Sequence, residues 1–184
     1  MSAVDAGIAV PKQSSHDQSS HEHFHHRAAA PAARVLHVIN GEHYAGAERV
    51  QDLLAERLPR CGYEVGLVAV KPGRFRDARS YRDARLIDLP MRSRLDRRPG
   101  RRVARMVRDE HYEMLHAHTP RSLVVASQAA RQTGVPLVYH VHSPASRDST
   151  RPLANLANQW TERRLARQAA RLIAVSHSVR QHML

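Results

Sequence analysis

Cysteine, lysine and aromatic residues are scarce in this chain of 184 residues: Cys61 is the sole cysteine, Lys12 and Lys71 are the only lysines, and aromatics make up 4%. One cysteine excludes an intramolecular disulfide framework and a cysteine-rich zinc site, so an apolar core must hold the fold and redox chemistry is not expected. Few aromatics argue against an all-β sandwich and leave little with which to stack nucleic-acid bases. No apolar run approaches the roughly 18 to 20 uncharged residues of a membrane-spanning helix, and no apolar segment follows a basic start as in a signal peptide. The expectation is a cytoplasmic chain with one folded domain.

What is abundant is arginine. The formal net charge is +12, from 29 basic and 17 acidic residues. Between Lys71 and Arg108 there are 14 basic residues and 4 acidic ones. Such a stretch attracts phosphate-bearing ligands or an anionic membrane surface, although charge runs are commonly just solvated faces. Nucleic acid is not an expected partner, because only Phe75 and Tyr81 interrupt the stretch and no recognition motif accompanies it.

Residues 1–33 are rich in Ser, His, Gln and Ala and poor in large apolar residues, and they read as a disordered tail. His16, His21, His23, His25 and His26 cluster there, where adventitious metal binding is the simpler reading. From residue 34 short apolar runs alternate with helical periods, the signature of βαβ units and a parallel sheet. Strands are expected over 35–39, 63–70, 85–89, 113–117, 135–141 and 172–175, the last of a buried type. Helices are expected over 47–60, 101–110, 120–133 and 152–170, with another beginning after Ser176. Val50, Leu53, Leu54 and Leu58 should form the inner face of the first. Gly62 and Gly134 suit left-handed stops, and Thr119 followed by Pro120 suits a helix start.

Three features bear on chemistry. The turn GEHYAGAER at 41–49 sets small residues where backbone amides of a helix start can face an anion, but it lacks both the G-x-G-x-x-G and the P-loop pattern. His116/His118 and His140/His142 form two His-x-His pairs at the carboxyl ends of predicted parallel strands, the edge where open α/β sheets bind ligands. Alternation sends both members of each pair to one side, so a metal-dependent hydrolase is a rival reading, with Asp148 as its only clear downstream carboxylate. Imidazoles that merely satisfy backbone groups, or a non-enzymatic anion-binding module, are the plainer alternatives.

The segments RVLHVIN (34–40), AGAERV (45–50), MLHAHT (114–119), LVYHVHS (137–143) and RLIAVS (171–176) occur in an order and spacing that resembles the N-terminal half of family 4 glycosyltransferases. The resemblance covers about residues 34–184. It implies a GT-B enzyme in which one Rossmann-like domain recognises the acceptor and a second holds a nucleotide sugar, with sugar transfer under retention and no bound metal. It further implies that Gly46 and Ala47 lie near donor phosphates and acceptor, that His142 lies beside the reacting sugar, and that His116 and His118 shape the cleft. The family's Glu-x7-Glu pair belongs to the donor-binding domain. Glu48 and Glu56 share its spacing but sit on the first helix, so that match is coincidental. The reading is therefore the acceptor-side half of a retaining glycosyltransferase. Its partners would be a glycan or lipid-linked acceptor, a separate donor-binding domain and, peripherally, an anionic membrane. Its nucleotide sugar is a substrate rather than a tightly bound cofactor. Inactivity alone, truncation or a split enzyme, and exposed apolar surface near the last helix are further expectations.

Overall fold

Every second residue of the first strand is an apolar side chain that must leave water, and the remaining ones face the opposite way, so one short segment seeds two packed faces. In the computed structural model, which describes residues 33–93, 95–142 and 152–183, this strand is β1 (Ala33–Ile39). The other strands are β2 (Tyr63–Ala69), β3 (Arg85–Asp88), β4 (Met114–Ala117), β5 (Leu137–Val141) and β6 (Arg171–Ala174). They form one six-stranded sheet in the order β3-β2-β1-β4-β5-β6, and every pairing is parallel. The fold is a Rossmann-like α/β domain, as expected. The histidine-rich segment 1–32 and Asp148 lie outside the described residues.

Helices α1 (Gly46–Arg57) and α2 (Phe75–Ala78) follow β1 and β2, and α3 (Arg98–Asp109), α4 (Pro120–Thr133), α5 (Pro152–Ala166) and α6 (His177–Met183) complete the order. Leu36, Val38, Val68, Leu115, Leu137, Tyr139 and Val141 pack with Val103, Val107, Leu123 and Ala166 on one face. Ile39, Val65, Leu67 and Ala69 pack with Ala55 and Phe75 on the other. Full burial of each such aliphatic side chain contributes about 1.5–3 kcal/mol, which offsets the entropy of ordering the chain.

Local signals explain the boundaries. Thr119 caps α4, its hydroxyl oxygen accepting the Ser122 N–H at 3.2 Å. Gly62 and Gly134 adopt left-handed φ values of 82° and 78°. Ser176 accepts the Val179 N–H at 3.2 Å at the start of α6. Helix α3 begins three residues before the expected Arg101, because Asp96 accepts the Arg98 N–H at 3.1 Å and Pro99 suits a first turn. The short α2 lies within the arginine-rich stretch and buries Phe75 completely.

Two expectations need correction. Helix α1 buries Glu48, Gln51, Asp52 and Ala55, and Leu53 is 50% exposed. The cause is Asp52, whose carboxylate accepts from the Tyr44 hydroxyl at 2.7 Å and from the Ser80 and Tyr81 amides at 2.6 and 3.1 Å. That network turns a polar stripe inward and carries Leu53 out. The last strand is not of a buried type: it closes the sheet with one strand neighbour, and Leu172, Ile173 and Val175 are 46%, 42% and 49% exposed.

Gly66 marks the tightest approach of strand to neighbour, since a Cβ there would run into the Tyr112 hydroxyl and come within 3.1 Å of Leu36. Gly66→Ala should therefore destabilise the domain by about 1–3 kcal/mol through overpacking. A thermal melt of that variant that matches the parent would show that the site relaxes freely.

Candidate functional site

The strand order reverses between β1 and β4, because β1 leads to β2 on one side while β4 and β5 continue on the other. Connections that depart in opposite directions leave a crevice at the carboxyl ends of these strands. Into this place the sequence puts imidazoles. His37 of β1 is directly opposite His116 of β4, and His140 of β5 follows Val138, the partner of His116. Strict alternation then sets His37, His116, His118, His140 and His142 on one sheet face.

The rings meet. His37 and His118 are stacked with centroids 5.1 Å apart, His116 and His118 lie 4.2 Å apart, and His140 and His142 stack at 4.2 Å. A chain of contacts runs through them: His37 Nδ1 to His118 Nε2 at 2.9 Å, then His118 Nδ1 to His142 Nε2 at 3.4 Å. Backbone geometry steadies the central ring, because the Ser122 hydroxyl oxygen accepts the His118 N–H at 3.0 Å and the Thr119 N–H at 2.9 Å. His37 and His118 are buried, His116 nearly so, and His140 and His142 half-buried.

Burial keeps these rings neutral. It pushes His37 and His118 well below the ordinary value of 6.5, and repulsion from His116 adds to the effect in both. His116 is lowered to about 3 by burial, with His140 and His142 contributing. His142 is lowered to about 4 by burial and His140, and His140 is lowered by burial. Neutral imidazole has one N–H donor and one lone pair, so the edge offers ligands both kinds of hydrogen bond without a net charge.

The loop after β1 reaches the same edge. The Glu42 carbonyl accepts the Arg74 N–H at 3.0 Å and the Gly41 carbonyl accepts the Phe75 N–H at 3.2 Å, which ties this loop to the one after β2. Glu42 and Lys71 form an ion pair across the two loops. Gly46 opens α1, and nothing lies within 4 Å of where its Cβ would stand. Of the residues singled out from the sequence, His116, His118 and His142 come together in one cluster. Gly46 and Ala47 share the edge through the start of α1, outside the ring contacts described above. Sequence reasoning missed His37 and gave His140 a place only in the rival metal-hydrolase reading. The signal for His37 was its register with His116, which the alternation of two strands would reveal only once they are paired.

The sequence profile of Glycosyltransferase Family 4 matches residues 44–184. The chain belongs to this family. Across 150 residues it is 27% identical to an Escherichia coli UDP-Gal:alpha-D-GlcNAc-diphosphoundecaprenol alpha-1,3-galactosyltransferase, covering 77% of this chain and 38% of that protein. The family 4 domain also superposes on Anabaena HepE, solved in complex with UDP and glucose, with a TM-score of 0.62 at 24% identity, covering 82% of this chain and 40% of the other. Acinetobacter baumannii MurG shares the fold with a TM-score of 0.59 at 14% identity, over 80% of this chain and 42% of the other. This family 4 chain thus spans about two fifths of the length of these relatives.

The neutral cluster has a consequence for stability. Above the ordinary imidazole value of 6.5 both folded and unfolded chains carry neutral rings; as pH falls towards the folded values, about 4 for His142 and about 3 for His116, only the unfolded chain takes up protons. The melting temperature should therefore decline between about pH 7 and pH 5, above the carboxylate range. His116→Asn should flatten that slope. Melts that are level over this window would mean that the rings are as free to protonate in the fold as in water.

Proposed function

We propose that the chain is the acceptor-side domain of a retaining glycosyltransferase that moves a sugar from a nucleotide sugar to a lipid-linked glycan. The observation that supports this reading is the contact of His118 with His142 at the carboxyl edge of the sheet in a Family 4 domain. His142 is the residue beside the reacting sugar, where a neutral ring can donate to or accept from a sugar hydroxyl. His116 and His118 shape the cleft floor, and Gly46 and Ala47 let substrate oxygens approach the backbone amides at the start of α1. The transfer step needs no tightly bound cofactor, since the nucleotide sugar arrives with its anomeric carbon already activated.

The acceptor is taken to resemble that of the Escherichia coli relative, a GlcNAc-diphosphoundecaprenol. A diphosphate calls for cations. Arg92, Arg97, Arg98 and Arg101 line a groove where the chain passes from β3 to α3, on the same carboxyl edge of the sheet as the histidines. Arg102, Arg105 and Arg108 extend the exposed basic face along α3. That face fits peripheral contact with an anionic cytoplasmic leaflet, where each basic residue contributes about 1 kcal/mol near the surface. Among the described residues no helix is long and apolar enough to cross a membrane.

Donor binding and turnover are assigned to a partner domain of the GT-B type, and the chain alone is expected to be inactive. In equilibrium binding, the isolated chain should take a water-soluble GlcNAc-diphosphoprenol analogue at tens of micromolar, about −6 kcal/mol, and UDP-galactose at millimolar or weaker, about −4 kcal/mol. Micromolar binding of UDP-galactose with none of the acceptor analogue would overturn the reading. In an enzyme reconstituted with a donor-binding domain, His142→Ala should lower kcat by about tenfold or more while the melting temperature stays near that of the parent.

A further inference from the structure

The chain's one tryptophan stands in water. Trp160 is 66% exposed on α5, and Leu156, one turn before it, is 65% exposed. We propose that the outer face of α5 docks on an anionic bilayer, with Leu156 and Trp160 entering its interfacial layer and the neighbouring arginines holding lipid phosphates.

The helical period makes the pair part of a stripe. Leu156, Trp160, Arg163 and Arg164 are exposed at helical spacing, and Arg167, one residue past the end of α5, continues the line. Asn158, Glu162 and Ala166 are buried on the opposite side, where Ala166 joins the apolar core. The packing of α5 on the sheet is thus complete without Leu156 and Trp160. Two large apolar side chains a turn apart on the solvent side add nothing to that core and favour contact with something outside it.

Charge selects what that is. The one carboxylate of α5, Glu162, is 2% exposed and accepts the Tyr139 hydroxyl, and the neighbouring α4 has none in its sequence. Arg121 and Arg131, at the two ends of α4, are exposed, and Arg131 donates to the Gln168 side chain at 3.4 Å, just past the end of α5. An apolar protein surface laid on α5 would desolvate these cations without pairing them. An anionic bilayer pairs them with phosphate, while its acyl boundary takes up the apolar side chains.

The residue types fit that boundary. A tryptophan ring has an apolar body and one polar N–H, which is why it collects at membrane–water interfaces. The Arg164 guanidinium lies over the Trp160 ring, 5.8 Å from its centroid, so a phosphate ligand stands directly beside the inserting group. Nucleic acid is the poorer fit, because a base-stacking surface uses several rings in succession and α5 offers a single one.

The placement has a consequence. Helix α5 follows β5, whose carboxyl end carries His140 and His142, and it returns the chain to the parallel strand β6, so it begins at that end of the sheet. Leu156 and Trp160 precede the arginines along α5 and lie nearer the histidine edge. A bilayer touching them would stand beside the edge where a lipid-linked acceptor presents its sugar. In this respect the inference deepens the acceptor-side reading and rests on it: the arginines of α3 attract from a distance, and α5 inserts.

Since Trp160 is the sole tryptophan, its emission reports on this face alone. The full chain should co-sediment with vesicles of about one part phosphatidylglycerol to three of phosphatidylcholine, and bind vesicles of phosphatidylcholine alone at least about tenfold more weakly. On the anionic vesicles the emission should move about 10 nm to the blue and be quenched by lipids brominated on the acyl chain. Trp160→Ala and Leu156→Ser should each lower co-sedimentation by about tenfold, and Arg164→Gln combined with Arg167→Gln by about tenfold or more, with the melting temperature unchanged. Arg102→Gln with Arg105→Gln should weaken recruitment yet leave the emission of the bound chain shifted. Failure to co-sediment, co-sedimentation with unshifted emission, equal binding to phosphatidylcholine alone, or indifference to Trp160→Ala and Leu156→Ser would overturn the proposal. A blue shift produced by RNA and by no vesicle would overturn it too, in favour of nucleic acid. Each of these outcomes is separate from the binding of the water-soluble acceptor analogue, which tests the acceptor-side reading by itself.

Discussion

The parallel register of β1, β4 and β5 is the constraint on which the site depends. His37 faces His116 across one ladder, and His116 faces Val138 across the next. A slip of one residue in either ladder would send a strand's imidazoles to the opposite face and its apolar side chains into their place. Burial of Leu36, Leu115, Leu137 and Tyr139 on the far side forbids that slip. The hydrophobic core is thus the device that aligns the polar cluster, and the cluster owes its geometry to residues it never touches.

The cluster itself is expensive. A sheet face beneath helices is ordinarily filled with Val, Ile and Leu, as the β2 half of this face is with Val65 and Leu67. Five imidazoles take up that space instead across β1, β4 and β5, and several of their nitrogens, including His37 Nε2 and His116 Nε2, are buried without a hydrogen-bond partner among the described residues. Departures of this kind from the packing rule are characteristic of functional sites, where stability is given up for chemistry. Their position at the strand-order reversal, rather than scattered through the core, makes a purely structural role the weaker account.

Much of the fold was legible because it rests on short-range signals. Thr119 with Pro120, Gly62, Gly134 and Ser176 each act within one turn, and each marks a boundary in the structure. Where long-range partners decide, the sequence misled. The apolar period of Val50, Leu53 and Leu54 predicts an inner face that Asp52 overrides by reaching the amides after α2. The apolar run at Leu172 reads as buried, yet its exposure depends on being the end strand, which no local pattern encodes. His37 was passed over for the same reason: inside an apolar strand a lone histidine reads as core until its neighbour on β4 is known. The two His-x-His pairs were visible because each pair lies within one short segment, His116 and His140 on their strands and His118 and His142 one residue past the strand ends.

The carboxyl edge also shows how basic and neutral groups coexist. On leaving β3 the chain crosses the end of β2, where the Met91 N–H donates to the Val70 carbonyl, and then reaches α4, whose Gln128 side-chain amide donates to the Arg97 carbonyl at 3.1 Å. The arginines of the groove before α3 are thereby carried from the edge strand towards the helix that follows β4, and the Glu42–Lys71 pair spans the loops after β1 and β2. The imidazoles of β1, β4 and β5 remain neutral beside this strongly basic surface because burial, rather than any carboxylate, sets their charge.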